Sequence, residues 1–281
     1  MAWGARIRLG SVGASEFRND GRGRQSMAEL EIRQLKALRD NYVYLLRDPE
    51  TAATGAVDPS EPGPVLAALA QTGWRLTHVL NTHHHPDHTG GNLALKEKTG
   101  CTIVGPRADR ARIPGIDIDV ADGEDYAFGK QVARVFDVPG HTRGHIAFWF
   151  GGSRALFCGD TLFTLGCGRL FEGTPQQMWR SLSKLKALPA ETRVYCGHEY
   201  TQANARFALT VEPENAALVA RARGVDALRL RDQPTVPATL GEELATNPFL
   251  RADQPALQQA MGAAGDPVAT FAEIRRRKDV F

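Results

Sequence analysis

The chain contains the run Thr82-His83-His84-His85-Pro86-Asp87-His88-Thr89-Gly90-Gly91. Four of its side chains, His83, His85, Asp87 and His88, can ligate a metal, and their spacing decides which do so together. In extended backbone alternate side chains face the same way, so His83 pairs with His85 while His84 points to the other side. Pro86 then turns the chain, and Asp87 with His88 forms a second pair where a helix through residues 92–98 could begin. Imidazole and carboxylate suit Zn, Fe or Mn, and the absence of cysteine from the cluster argues against a purely structural zinc knot.

Three further metal-competent groups follow: His141 in Pro139-Gly140-His141-Thr142, Asp160 in Gly159-Asp160-Thr161, and His198 in Gly197-His198-Glu199-Tyr200. Taken singly, His141 could be a turn residue, Asp160 a helix N-cap and His198 an exposed loop side chain. Each, however, follows an apolar run that reads as a strand: 76–80 before the histidine run, 132–138 before His141, 155–158 before Asp160 and 194–196 before His198. Four such strand ends converge on one rim of a sheet sandwich, where loops build sites. Seven ligands exceed the needs of one zinc and suit two, with the two-oxygen anion Asp160 as the natural bridge. Cations roughly 3.5–4 Å apart can share a hydroxide that is nucleophilic at neutral pH. His78, inside a strand, His84 and His145 read as structural, with His145 hydrogen-bonded behind the site. Asp58, ending its strand before Pro59, reads as a turn group or a support for a ligand.

Positioning these groups requires a sheet-rich body. Runs 30–35 and 42–46 form a hairpin about Arg39-Asp40-Asn41, and 54–57 is a third strand. Residues 64–70 carry the helical period, 101–104 is a short strand, and 110–125 is polar and irregular. Runs 146–150 and 155–158 make a hairpin about Gly151-Gly152-Ser153, and 175–188 is a helix capped by Thr174. Beyond Thr201 strand signals stop, and 204–209, 214–223, 256–261 and 267–277 read as helices. That shift divides the chain into an extension (1–26), a mixed α/β catalytic domain (27–200) and a helical domain (201–281).

Composition bounds the partners. A net charge of +2 over 281 residues gives no reason to expect nucleic acid. No apolar run approaches the ~18 residues of a membrane span. Cys101, Cys158, Cys167 and Cys196 are scattered without a C-x-x-C, which fits reduced thiols in a cytoplasm, and a monomer is expected. Residues 1–26 hold five Arg and lack an apolar h-region. They read as a poorly ordered targeting segment or as an over-extended start before Met27.

Together, T-H-x-H-x-D-H, P-G-H-T, G-D-T and G-H-E-Y resemble the metallo-β-lactamase superfamily, and within it the hydroxyacylglutathione hydrolase (glyoxalase II) family, over nearly all of residues 27–281. The resemblance implies an α/β (α+β) fold, an αββα sandwich with a small C-terminal helical domain that binds glutathione. It implies hydrolysis of the thioester S-D-lactoylglutathione, and of other S-2-hydroxyacylglutathiones, to glutathione and a 2-hydroxy acid, the second step of methylglyoxal detoxification. Carried over by motif, His83, His85, His141 and Asp160 would hold one divalent ion, and Asp87, His88, His198 and the shared Asp160 another. Zn2+ is the first expectation, with Fe or Mn possible. Asp87 and Asp160 would be the catalytic carboxylates, Asp87 orienting the bridging hydroxide. Arg169 and Phe171, the latter where the family often has Tyr, would contact glutathione together with Tyr200. Arg275 and Lys278, in an R-x-x-K-D run, would take its carboxylates, and positions three apart share a helical face. Outside the resemblance, such a basic helix end is an ordinary solvated terminus complementing its dipole.

Other classes fit less well. A β-lactamase of this superfamily commonly has Cys where Asp160 stands, and a nuclease would carry a basic surface. A mononuclear iron persulfide dioxygenase does not normally use the second metal position or carry this tail. A non-catalytic, metal-braced binder would have no need of seven ligands.

Overall fold

The structure is a computed structural model describing residues 28–281, and the expectations for residues 1–26 lie outside the described residues. One sheet contains β1 (Glu31–Ala37), β2 (Asn41–Arg47), β3 (Thr54–Val57), β4 (His78–Leu80), β5 (Thr102–Pro106) and β6 (Ile118–Val120), hydrogen-bonded in that order. The second contains β7 (Asp125–Phe128), β8 (Gln131–Asp137), β9 (Ile146–Phe150), β10 (Ala155–Gly159), β13 (Arg193–Cys196) and β14 (Ala238–Thr239), in the order β14-β13-β10-β9-β8-β7. A small ribbon, β11 (Leu162–Phe163) with β12 (Gly166–Cys167), follows β10.

Side-chain alternation sorts β2 between two cores. Tyr42, Tyr44 and Leu46 pack with Val135, Phe148, Phe150 and Phe157 of the second sheet. Val43 and Leu45 pack instead with Val65 and Leu69 of α1 (Pro62–Thr72) and Leu95 of α3 (Asn92–Thr99). This is the period-2 signature of a strand covered on both faces. On the far side lies α4 (Pro175–Lys186), whose Thr174 cap completes a reciprocal box with Gln177.

The tail supplies α5 (Thr201–Val211), α6 (Ala216–Arg229), α7 (Leu240–Thr246), α8 (Pro255–Ala260) and α9 (Pro267–Val280). Its Phe207, Phe249, Phe271 and Ile274 are buried in the same apolar cluster as Phe157 and Met178. Among the described residues, no helix is long and apolar enough to cross a membrane.

Three sequence expectations are corrected. The irregular stretch 110–125 contains β6, whose Asp119 pairs with Arg107 and Arg110 on an exposed edge, so its polar alternation hides a strand. Strand structure does not stop after Thr201, because β14 pairs antiparallel with β13. Asp87 and His88 do not open the helix at residue 92. They occupy a separate turn, α2 (Pro86–Thr89), broken from α3 where the Gly91 amide donates to the Pro59 carbonyl.

Candidate metal centre

The loops leaving β4, β8, β10 and β13 bring the seven candidate ligands chosen from the sequence together. His83, His85 and His141 offer donor atoms all within 4.8 Å of one another, and so do Asp87, His88 and His198. In the first group His85 Nδ1 lies 3.2 Å from His83 Nε2 and 3.1 Å from His141 Nε2. In the second, His88 Nε2 lies 3.3 Å from His198 Nε2, which is 3.4 Å from Asp87 Oδ2. Asp160 stands between the groups: its Oδ2 is 3.4 Å from both His141 Nε2 and His198 Nε2, and its Oδ1 is 3.5 Å from His88 Nε2.

Most ring nitrogens facing away from this centre have partners that fix the imidazole. The Nδ1 of His83 meets the Thr82 hydroxyl at 3.1 Å and that of His141 meets the Arg169 carbonyl at 2.8 Å. His88 Nδ1 meets Asp58 at 3.1 Å, and His198 Nδ1 meets Asp40 at 2.9 Å. Fixing one nitrogen decides which way the other's lone pair points. A third triplet, Asp58, His83 and His88, is also close enough to ligate. Asp58, however, spends its oxygens on the Thr82 amide and hydroxyl and on the back of His88, so it fits the supporting place read from the sequence.

The donor set fits divalent metal. Asp160 Oδ1 is buried without a hydrogen-bond donor, a costly arrangement for an anion unless a cation serves it. Burial opposes the Asp160 charge, but His88 and then His198 outweigh it and hold the carboxyl well below the usual range. His198 is pushed up to about 10: burial works against its charge, and Asp160 and Asp87 more than offset that. His85 falls to about 4 through burial and the neighbouring His141, which outweigh the pull of Asp160. These shifts describe one crowded set of acids and bases whose charges are interdependent.

Three histidines set aside in the sequence lie where expected. His84 turns away to Asp109 at 2.9 Å. His145 stacks on His83 with ring centroids 4.5 Å apart and accepts from the Asp160 amide at 3.1 Å. His78 sits edge-on to Phe128.

Beside the centre opens a cavity of about 410 Å³, and Arg169, Phe171, Tyr200, Arg275 and Lys278 all line it. The Phe171 ring lies 5.1 Å from that of His141, and Tyr200 stacks on His198 at 4.7 Å. Lys278 Nζ sits over Phe207 and Phe281 and donates to the Ala203 carbonyl. Arg275 is more committed than its motif suggests: it is buried, donates to the Cys167 carbonyl at 3.1 Å and pairs with Asp279 at 2.8 Å. Sequence reasoning missed Asp40 as the partner of His198, and also Cys167 and Asn204 in the cavity wall. The only local signal was the Arg39-Asp40-Asn41 turn, which marks a hairpin but not what it touches.

Two mixed sheets between helices, with a histidine and aspartate cluster at one rim, define the metallo-β-lactamase fold. Residues 42–198 match the "Metallo-beta-lactamase superfamily" and residues 199–281 the "Hydroxyacylglutathione hydrolase C-terminus". A hydroxyacylglutathione hydrolase of Methylococcus capsulatus is 64% identical over 253 residues, covering 90% of this chain and 99% of the relative. Within the superfamily, the chain belongs to the hydroxyacylglutathione hydrolase family. Among solved structures, ETHE1 from Myxococcus xanthus is similar at a TM-score of 0.64 and 28% identity, over 88% of this chain and 90% of that one. TTHA1623, solved in a di-iron-bound form, is similar at 0.55 and 28%, over 78% and 99%.

Proposed function

We propose that this chain hydrolyses S-D-lactoylglutathione and related S-2-hydroxyacylglutathiones to glutathione and a 2-hydroxy acid, using two divalent cations. The observation that carries the proposal is the pair of ligand triplets flanking Asp160 and opening into one cavity with a basic wall. His83, His85 and His141 would hold one ion, Asp87, His88 and His198 the other, and Asp160 both. When bound, such a pair supplies Lewis acidity and a nucleophile from water at neutral pH. Zn2+ is the first candidate, and Fe or Mn is compatible with the same donors.

The chain's own residues do the rest. Asp87 is held well below the ordinary carboxylate range: burial opposes this, but His198 and then His88 outweigh it, leaving an ionised base at neutral pH. Ionised in this way, it would serve as a ligand of the second ion and orient the attacking water. Phe171, beside His141, and Tyr200, stacked on His198, would contact glutathione next to the metal centre. Lys278, with one carbonyl partner, keeps donors for a glutathione carboxylate, and Arg169 adds a second cation. The departing glutathione thiol has a pKa of about 8.5, so it leaves as thiolate without a general acid.

Residues 27–200 would then carry the chemistry together with Arg169, Phe171 and Tyr200, and residues 201–281 would add Arg275 and Lys278. A monomer remains the expected state, and four buried free thiols support a reducing, cytoplasmic setting. Incubation with S-D-lactoylglutathione should consume thioester absorbance with matching thiol release. No turnover by protein carrying nearly two cations per chain would reject the substrate, and oxygen uptake on glutathione persulfide with one iron would make it a dioxygenase.

A further inference from the structure

The turn between β1 and β2 reaches into the metal centre, although its sequence announces only a hairpin. Asp40 Oδ1 accepts from His198 Nδ1 at 2.9 Å. The next residue, Asn41, is buried and donates its amide Nδ2 to Asp87 twice, to the carboxylate Oδ2 at 3.1 Å and to the main-chain carbonyl at 3.1 Å. Adjacent turn residues thus grip two different ligands of the same triplet. The turn itself is pinned: the Tyr42 amide donates to the Gly197 carbonyl and the Glu199 amide to the Asp40 carbonyl. The Glu199 carboxylate accepts from the Tyr42 hydroxyl at 2.7 Å, the Thr235 hydroxyl at 2.7 Å and the Thr235 amide at 2.9 Å. Glu199 therefore ties the turn to the His198 loop and to the helical tail.

We propose that Asp40 and Asn41 are positioning residues for the second cation, and that Glu199 locks the turn presenting them. This rests on the two-cation proposal above. The physical case is one of freedom removed. The Asp87 side chain is 40% exposed on a single helical turn, and without the Asn41 amide its carboxylate can rotate away from His88 and His198. Without Asp40, the His198 ring loses the acceptor that holds its proton on Nδ1 and turns Nε2 inward. The first triplet is fixed from elsewhere: its His83 and His141 are backed by the Thr82 hydroxyl and the Arg169 carbonyl, not by this turn. Damage to the turn should therefore be confined to one site.

The isosteric variants Asp40→Asn and Asn41→Asp test this with Zn2+ titrated against a chromophoric chelator. Wild type should show two binding steps. In each variant one step should weaken about tenfold to a hundredfold, the usual effect of losing an outer partner, while the other keeps its wild-type affinity. kcat should fall with KM for the thioester unchanged, and metal-free Asp40→Asn should melt as wild type does. In a His198→Ala background, Asp40→Asn should add nothing, because the ring it acts through is gone. Two unchanged steps would overturn the assignment. So would equal weakening of both with a lower melting temperature of the metal-free protein, which would mark a merely structural turn. A wild-type chain taking up one cation in one step would overturn the two-cation basis itself, and is distinguishable from either outcome.

Discussion

Asp160 shows at one residue how the centre is balanced. Its carboxylate is buried, which alone would favour the neutral acid, yet the surrounding imidazoles keep it ionised. Asp160→Asn preserves shape and removes the charge, so both cations should bind more weakly and kcat should fall by more than ~100-fold, beyond the effect of losing an outer partner. Metal analysis after dialysis, alongside steady-state kinetics, checks this. Lys278 offers a pH test with a definite sign. Burial, and then the nearby Arg275, bring its ammonium down to about 8 from 10.5. The charge is present below that value and lost above it, so affinity for a glutathione carboxylate should drop between about pH 7 and about pH 9. Lys278→Arg should remove that drop, as read by calorimetric titration with S-methylglutathione. The same shift means the unfolded chain binds the extra proton between about 8 and 10.5, so this group's contribution to stability rises with pH across that window. The seven clustered side chains were legible because each sits in a short motif after an apolar run. Asp40 was not, because its partner lies 158 positions away.

Among the elements, the strand ends set the geometry, and two glycines allow the chains to approach. At Gly197 an added Cβ would lie 2.5 Å from Asp160 Oδ1 and 2.6 Å from His88 Cε1, so the backbone of the His198 loop packs directly on the centre. Gly197→Ala should cost about 1–3 kcal/mol by overpacking and lower the bound metal, measured by denaturant melts and metal content. Gly159, at a φ of 46°, turns the chain into Asp160 where a Cβ would strike the Thr82 hydroxyl. Thr174→Ala, by contrast, removes a helix cap whose side chain hydrogen-bonds only to Gln177. It should destabilise by about 1 kcal/mol and leave kcat unchanged. Helices and strands with a long apolar period were readable from sequence. The short β6 and β14 were not, because two or three residues carry no period and their pairing is decided by β5 and β13. The α7 helix was missed although Thr239 and Glu242 form a capping box, a signal that was available.

At the scale of the whole molecule, sheets and tail share apolar packing. Trp179 of α4 lies against Phe271 of α9, and Phe249 packs between Phe207 and Phe271. A buried aromatic of this kind stabilises by about 1.5–3 kcal/mol, so the tail cannot detach cheaply. Tryptophan fluorescence and far-UV dichroism should therefore report one coincident unfolding transition, and two separated transitions would show independent units. The same packing carries Arg275 and Lys278 to the cavity, which explains how they come to line it together with His85 and Asp87. The composition shift near residue 200 was visible in sequence, but the continuity of the core across it was not, since contact between distant segments leaves no local trace.

The most direct test adds Zn2+ stepwise to metal-free protein and measures both cations bound per chain and hydrolysis of S-D-lactoylglutathione at each addition. Two cations bound per chain, with full turnover reached only as the second site fills, is the expected result. Full turnover with a single bound cation, or two bound cations and no hydrolysis, would contradict it.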